Sequence, residues 1–277
     1  EVRTRFAPVL VDQGGAGALD PEVEVQDDSG AWAAGERVDD LAVLDASDTS
    51  FQLDYCFFLM DAIKKISDRP DSLGLDFSND EHSGRDAVSA RKQDMIKKLE
   101  VEVLKWLKKL SSGGRAHPEA MFLLGEAYGK GQFGLDADHQ RAFAFYIQAA
   151  KANHASANYR VAVCHEVGAG TKKDCRRADQ FYRKAAALGH CLAMHKVGCI
   201  LLYGHLSHHK NLKEGISWLK RAAANATADH PDALHDLAQC YEKTGGCPVV
   251  IPDERYAFEL YSQAANFGYP PSQYRLG

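Results

Sequence analysis

The feature that most constrains this chain is one set of offsets that occurs four times. Asp138 is followed by Ala142, Phe145 and the pair Ala149-Ala150. The same order runs through Asp174, Ala178, Phe181, Ala185-Ala186, then Asn211, Gly215, Trp218, Ala222-Ala223, and then Asp253, Ala257, Leu260, Ala264-Ala265. The spacings from the first residue are 4, 7, 11 and 12 in every case. A second pattern precedes each of these: His117, Ala120, Leu124, Gly125, Tyr128. It returns from His154, His190 and His230, and begins a fifth time at Tyr269, Ser272, Leu276, with steps of 37, 36, 40 and 39 residues. Self-similarity at such a period marks a unit that cannot bury its apolar face alone and stacks on its neighbours.

The residue types say what the unit is. Offsets of 4, 7 and 11 lie on one face of a helix. The Asp or Asn that opens each run offers a side-chain oxygen to the unpaired N–H groups of a first turn. Glu214, three residues after Asn211, suggests a capping box. Asn153, Gly189 and Gly268 fall where the second helix of a copy should end, at a left-handed position. Gly125 and Gly198 sit inside the first helices at a propensity cost of about 1 kcal/mol relative to Ala, which calls for close helix contact. Each copy is therefore read as a helix of about 12 residues, a loop and a second helix of about 14. The expected fold is all-α: a right-handed α-solenoid of helical hairpins covering 117–277.

Two further amphipathic stretches lie upstream, over 51–66 and 86–110. Trp106-Leu107-Lys108 echoes Trp218-Leu219-Lys220, so 49–116 is expected to be a degenerate hairpin capping the repeats. The polar stretch 70–85 between them reads as a loop. Residues 1–50 carry twelve acidic and three basic side chains, a net charge of -9 within a chain whose total is -5. Self-repulsion and few large apolar groups leave 1–48 expected to be disordered. Residue 1 is Glu and the last copy stops at Gly277, so both ends are read as cuts.

The same sequence argues against most chemistry. A slightly acidic chain is not built as a nucleic-acid binder. Seven cysteines, an odd number without a framework, suit free buried thiols in a reducing compartment. His205, His208 and His209 are the densest histidine group, yet no Cys-x-x-Cys accompanies them, so no metal site is expected. His117, His154, His190 and His230 recur at one repeat position, which points to a structural role between hairpins. Cys164 and His165 are consecutive on a helix and point apart, so they form no nucleophile–base pair. Gly129-Lys130-Gly131 and Gly168-Ala169-Gly170 follow no strand and complete no phosphate loop, and read as hairpin turns. Lys97, Lys98, Lys105, Lys108 and Lys109 read as a solvated face. No catalysis, cofactor or small-molecule substrate is expected.

The rhythm Ala-x-x-x-Leu-Gly-x-x-Tyr, then Ala-x-x-Phe-Tyr-x-x-Ala-Ala, resembles Sel1-like repeats over 117–277. Within it, HPEAMFLLGEAYGKGQFG from His117 and VVIPDERYAFELYSQAANFGYPPS from Val249 are similar to fungal chitin synthase activator proteins. So are the lengthened third loop, 203–212, and the Trp218-Leu219 helix. The resemblance implies a non-enzymatic regulator that binds a membrane chitin synthase and activates or localises it. It implies a cytoplasmic place near the plasma membrane or septum. Several members of that family end in a prenylation box and this sequence stops without one, so membrane association is expected to be indirect or through a C-terminus beyond Gly277. A Sel1-like adaptor for another client, in quality control or signalling, is the alternative. By analogy with tetratricopeptide solenoids, the first helices line a concave wall, and Phe122, Glu126, Tyr159, His195, His235 and Gln239 are expected to be its exposed, partner-binding positions.

Overall fold

The computed structural model describes residues 49–68, 85–112, 116–206, 209–243 and 247–277. The expectations for the leader 1–48, for 70–84 of the expected loop and for His208 lie outside these, and Arg85, the last residue of that loop, opens a helix. Among the described residues every regular element is a helix. They are α1 (Thr49–Asp68), α2 (Arg85–Ser111), α3 (Pro118–Lys130), α4 (His139–Lys151), α5 (Ala155–Val167) and α6 (Cys175–Ala187). α7 (Cys191–Tyr203), α8 (Leu212–Ala224), α9 (Asp232–Tyr241), α10 (Glu254–Asn266) and α11 (Pro270–Leu276) complete the chain. None is long and apolar enough to cross a membrane.

Each helix packs chiefly against the one before and the one after it, so the molecule is an α-solenoid. The hairpins α3–α4, α5–α6, α7–α8 and α9–α10 are the four copies. α1 pairs with α2, and α2 packs on α3. Leu59, Val103, Leu107 and Leu124 are wholly buried where that extra hairpin meets the first copy. Side chains of this size contribute roughly 1.5–3 kcal/mol each on burial.

The caps form as the residue types dictate. Asp138, Asp174, Asn211 and Asp253 each accept a hydrogen bond from a backbone N–H of the first turn that follows. The capping box at Asn211 is only half made. Its Oδ1 accepts from the Glu214 N–H, but the Glu214 carboxylate takes the Asn211 side-chain amide at 2.9 Å instead of its backbone N–H. That N–H is already engaged with the Leu201 carbonyl at 2.8 Å. The same bond recurs in every copy: Asp138 to Tyr128, Asp174 to His165 and Asp253 to Tyr241, at 2.8–2.9 Å. It ties the start of each second helix to one position near the end of the first, so the intervening loop can vary in length without shifting the hairpin. Asn153, Gly189 and Gly268 hold left-handed backbone after α4, α6 and α10. Gly131 and Gly168 do so as the caps of α3 and α5, which makes both glycine runs hairpin turns.

The small residues lie where helices touch. The first alanine of each pair, Ala149, Ala185, Ala222 and Ala264, is buried. The second is buried in α4 and α6 and half-buried in α8 and α10. One detail differs from the expected stripe. The large side chain in the core is the residue at offset 8 (Tyr146, Tyr182, Leu219, Tyr261), whereas Phe145, Phe181 and Trp218 at offset 7 are half-buried. At about 100° per residue, offsets 4, 8 and 11 cluster within about 60° of one another, and offset 7 lies at the edge of the buried sector.

Candidate functional site

The first helices are positioned by histidine. The Nδ1 atoms of His117, His154 and His190 accept from the N–H of Glu119, Ala157 and Ala193 at 3.1–3.3 Å. A ring that accepts through Nδ1 carries its proton on Nε2 when neutral. In His154 that second nitrogen lies 2.6 Å from Glu119 of the preceding copy, whose carboxyl is held below the usual range chiefly by this bond. One histidine thus caps its own helix and ties it to the neighbour, the structural role its repeat position suggests. The fourth copy departs from this, because α9 begins behind Pro231 without a side-chain cap.

The six expected partner-binding residues do share one row of first helices, but they are not uniformly exposed. Gln239 is exposed, while Phe122, Tyr159 and His195 are half-buried. Glu126 and His235 are buried, with 9% and 8% of their surface accessible. The correction has a physical cause: this row also makes the joints between copies. Phe122 stacks on His154 with ring centres 4.9 Å apart, and Tyr159 stacks on His190 at 4.7 Å. His235 packs on Tyr269 and its Nδ1 lies 2.8 Å from the Ser272 hydroxyl. Burial pushes the His235 ring toward neutrality, against the pull of Asp236.

Glu126 anchors a polar link that the sequence reading missed. Tyr146 of the same copy donates to it at 2.7 Å, Arg160 of the next copy at 2.8 Å, and Lys130 lies 2.7 Å away. Burial raises its carboxyl, but these donors and charges outweigh that and hold it below the usual range. The second copy repeats the scheme with Tyr182 and Lys196 on Glu166, and the fourth with Tyr261 and Arg275 on Glu242. The signal was present as a tyrosine eight residues after each capping Asp.

The third joint breaks the scheme. Leu219 stands where the others have tyrosine, Leu202 takes the place of Glu166 and Glu242, and Asp236 occupies the position of Arg160, Lys196 and Arg275. Here His195 Nε2 lies 2.7 Å from Asp236 Oδ2, and the Cys199 thiol lies 3.4 Å and 3.5 Å from those two atoms.

Among the described residues, the thiol and phenol nearest the first link are not poised as nucleophiles. A cleft of about 150 Å³ is lined by Glu126, Tyr146, Arg160 and Cys164. Burial pushes both the Cys164 thiol and the Tyr146 phenol up, so both stay protonated. His165 is buried and sits edge-on to Phe143 and stacked near Phe181, a core histidine. A wider cleft of about 670 Å³ runs between the loops of the first two copies, lined by Asp136, His139, Gln140 and Lys172 among others. All seven cysteines are free.

Comparison with a family model falls on the same residues. A family model described as the Sel1 repeat matches 118–154, 155–190, 191–226 and 231–269, together more than half of the chain. Chitin synthase regulatory factor 3 of Schizosaccharomyces pombe is 38% identical over 177 residues, 64% of this chain and 19% of that protein. Chitin synthase regulator SKT5 of Saccharomyces cerevisiae is 40% identical over 174 residues, 62% of this chain and 24% of that one. The chain therefore matches only about a fifth to a quarter of the length of these relatives. A solved Sel1 repeat protein from Oxalobacter formigenes superposes with a TM-score of 0.55 at 28% identity, over 69% of this chain and 74% of that one.

Proposed function

The chain belongs to the Sel1-repeat family, and from that premise we propose that it is a non-catalytic scaffold that binds a fungal chitin synthase and activates or localises it. The observation that carries this reading is that a chain of four Sel1 repeats is 38% and 40% identical, over 177 and 174 residues, to two fungal chitin synthase regulators. A helical solenoid offers a continuous wall rather than an enclosed cavity, which suits an extended or helical segment of a protein partner. The row from Phe122 to Gln239 is the proposed contact wall, with its exposed edges available and its buried members holding the curvature. The protein acts on the cytoplasmic side, near the plasma membrane or septum, held there by its partner.

Binding of the purified chain to a cytoplasmic segment of a chitin synthase tests the reading directly. Tyr159→Ala combined with Gln239→Ala should weaken that binding about tenfold or more, while far-UV circular dichroism stays unchanged. Equal binding by the folded double variant places the contact elsewhere. No measurable binding by the wild-type chain removes the synthase as the partner.

A further inference from the structure

We propose that His195, Cys199 and Asp236 bind a zinc-class divalent cation at the joint between the third and fourth copies. The proposal concerns the chain alone and does not depend on any protein partner.

The ligand types come first. Imidazole, thiolate and carboxylate are the groups that bind zinc, and a four-coordinate site made of three protein ligands leaves one position for water. His195 and Cys199 are four residues apart on α7, so they share one helix face. Asp236 comes from α9, in the next copy. The three facing atoms are His195 Nε2, Cys199 Sγ and Asp236 Oδ2. In a tetrahedral zinc site, bond lengths of about 2.0–2.3 Å place neighbouring ligand atoms about 3.3–3.6 Å apart. Two of the three separations, 3.4 Å and 3.5 Å, already have that value. The third, 2.7 Å, is a hydrogen bond between His195 and Asp236. It needs to open by about 0.6 Å as the ion takes the place of the shared proton, which passes through solvent to Nδ1 so that the neutral ring ligates through Nε2. All three residues are half-buried, so an ion reaches them from solvent and is then partly shielded.

The repeat supplies an independent reason to single out this joint. The other three joints each place an arginine or lysine of one copy on a glutamate of the copy before it. Here an aspartate stands at the position of that cation. An ion bound by α7 and α9 would restore a positive charge between the copies and clamp them together. Burial, with Asp236 nearby, pushes the Cys199 thiol up to about 12, so the apo joint keeps it protonated. Metal binding then forms an S–metal bond and releases that proton to solvent.

The test uses the purified full chain, kept reduced, stripped with a chelator and titrated with Co(II) and then Zn(II). One equivalent of Co(II) should give a thiolate-to-metal charge-transfer band and tetrahedral ligand-field bands, both removed by Zn(II). Saturating Zn(II) should raise Tm by about 5 °C. Cys199→Ser should abolish the charge-transfer band. Asp236→Asn, which keeps the shape and removes the charge, should retain the band and weaken Co(II) binding about tenfold or more. Circular dichroism of both variants checks that they fold. Absence of the charge-transfer band in wild-type protein at saturating Co(II) overturns the proposal. So does a band that survives Cys199→Ser, or a Zn(II)-induced Tm rise that is the same in that variant.

Discussion

His190 shows how much one residue does in this fold. It caps α7 through Nδ1, carries the ring of Tyr159, and lies in a row with His154 and His230. Burial first, and then the charges of His230, Arg160 and His154, push its pKa from the ordinary 6.5 down to about 4. The folded state therefore prefers the neutral ring, and the unfolded chain takes up the proton first as pH falls. His190 contributes stability that is fully present above about pH 6.5 and is lost between there and about pH 4. Glu119, Glu126 and Glu166 have lowered values, so their contributions are lost as pH falls from the normal carboxylate range downward, well below the His190 window. Denaturant midpoints measured from pH 7 to pH 5 should decline in the wild-type chain and decline less steeply in His190→Gln. Equal slopes would place the responsible group elsewhere.

At the scale of the helix, a missing side chain decides how two elements meet. A Cβ on Gly125 would lie 2.7 Å and 2.8 Å from ring atoms of Tyr146, and 3.3 Å from the Ala142 carbonyl oxygen. Helix propensity alone favours alanine there by about 1 kcal/mol. Overpacking opposes it, at about 1–3 kcal/mol in a filled core. The Tyr146 ring cannot swing aside without loosening its hydroxyl from Glu126, and with it the link to Arg160. Gly125→Ala should therefore destabilise the chain by about 1–2 kcal/mol in urea denaturation. A stabilised variant would show that the α3–α4 contact yields easily. That Gly125 needs a close neighbour was legible from its place inside a helical pattern. That the neighbour is Tyr146, at offset 8 rather than 7, was not. Two positions 100° apart both suit an apolar stripe, and only the direction of the facing helix chooses between them.

At the scale of the molecule, the buried side chains among the described residues form three successive clusters, one around α1 to α5, one around α6 and α7, and one around α8 to α10. Contacts run almost entirely between neighbours, so stability is a sum of local units and the interfaces between them. Leu237 is 1% exposed in the last of the three clusters. Leu237→Ala should remove about 2–5 kcal/mol, and remove it locally. Hydrogen exchange followed by mass spectrometry should quicken over α9 and α10 while α3 to α5 keep wild-type protection. Uniform loss of protection would mean that the solenoid unfolds as one block.

Four matching sets of offsets were enough to determine the hairpins, their caps, their turns and the stacking of one copy on the next. Those features depend on short-range periodicity and on backbone groups that must be satisfied within a few residues. The acidic leader was equally plain in composition, and it lies outside the described residues. The joints between copies were decided by tertiary structure. Glu126 and His235, read as exposed, turn inward because Tyr146 and Arg160, or Ser272 and Tyr269, approach from other helices. Likewise His195, Cys199 and Asp236 look unrelated along the chain, 41 residues from end to end, and meet only because α7 and α9 stack in register. Which side chains converge between two units depends on rotation and rise summed over a whole repeat, and no local pattern encodes that sum.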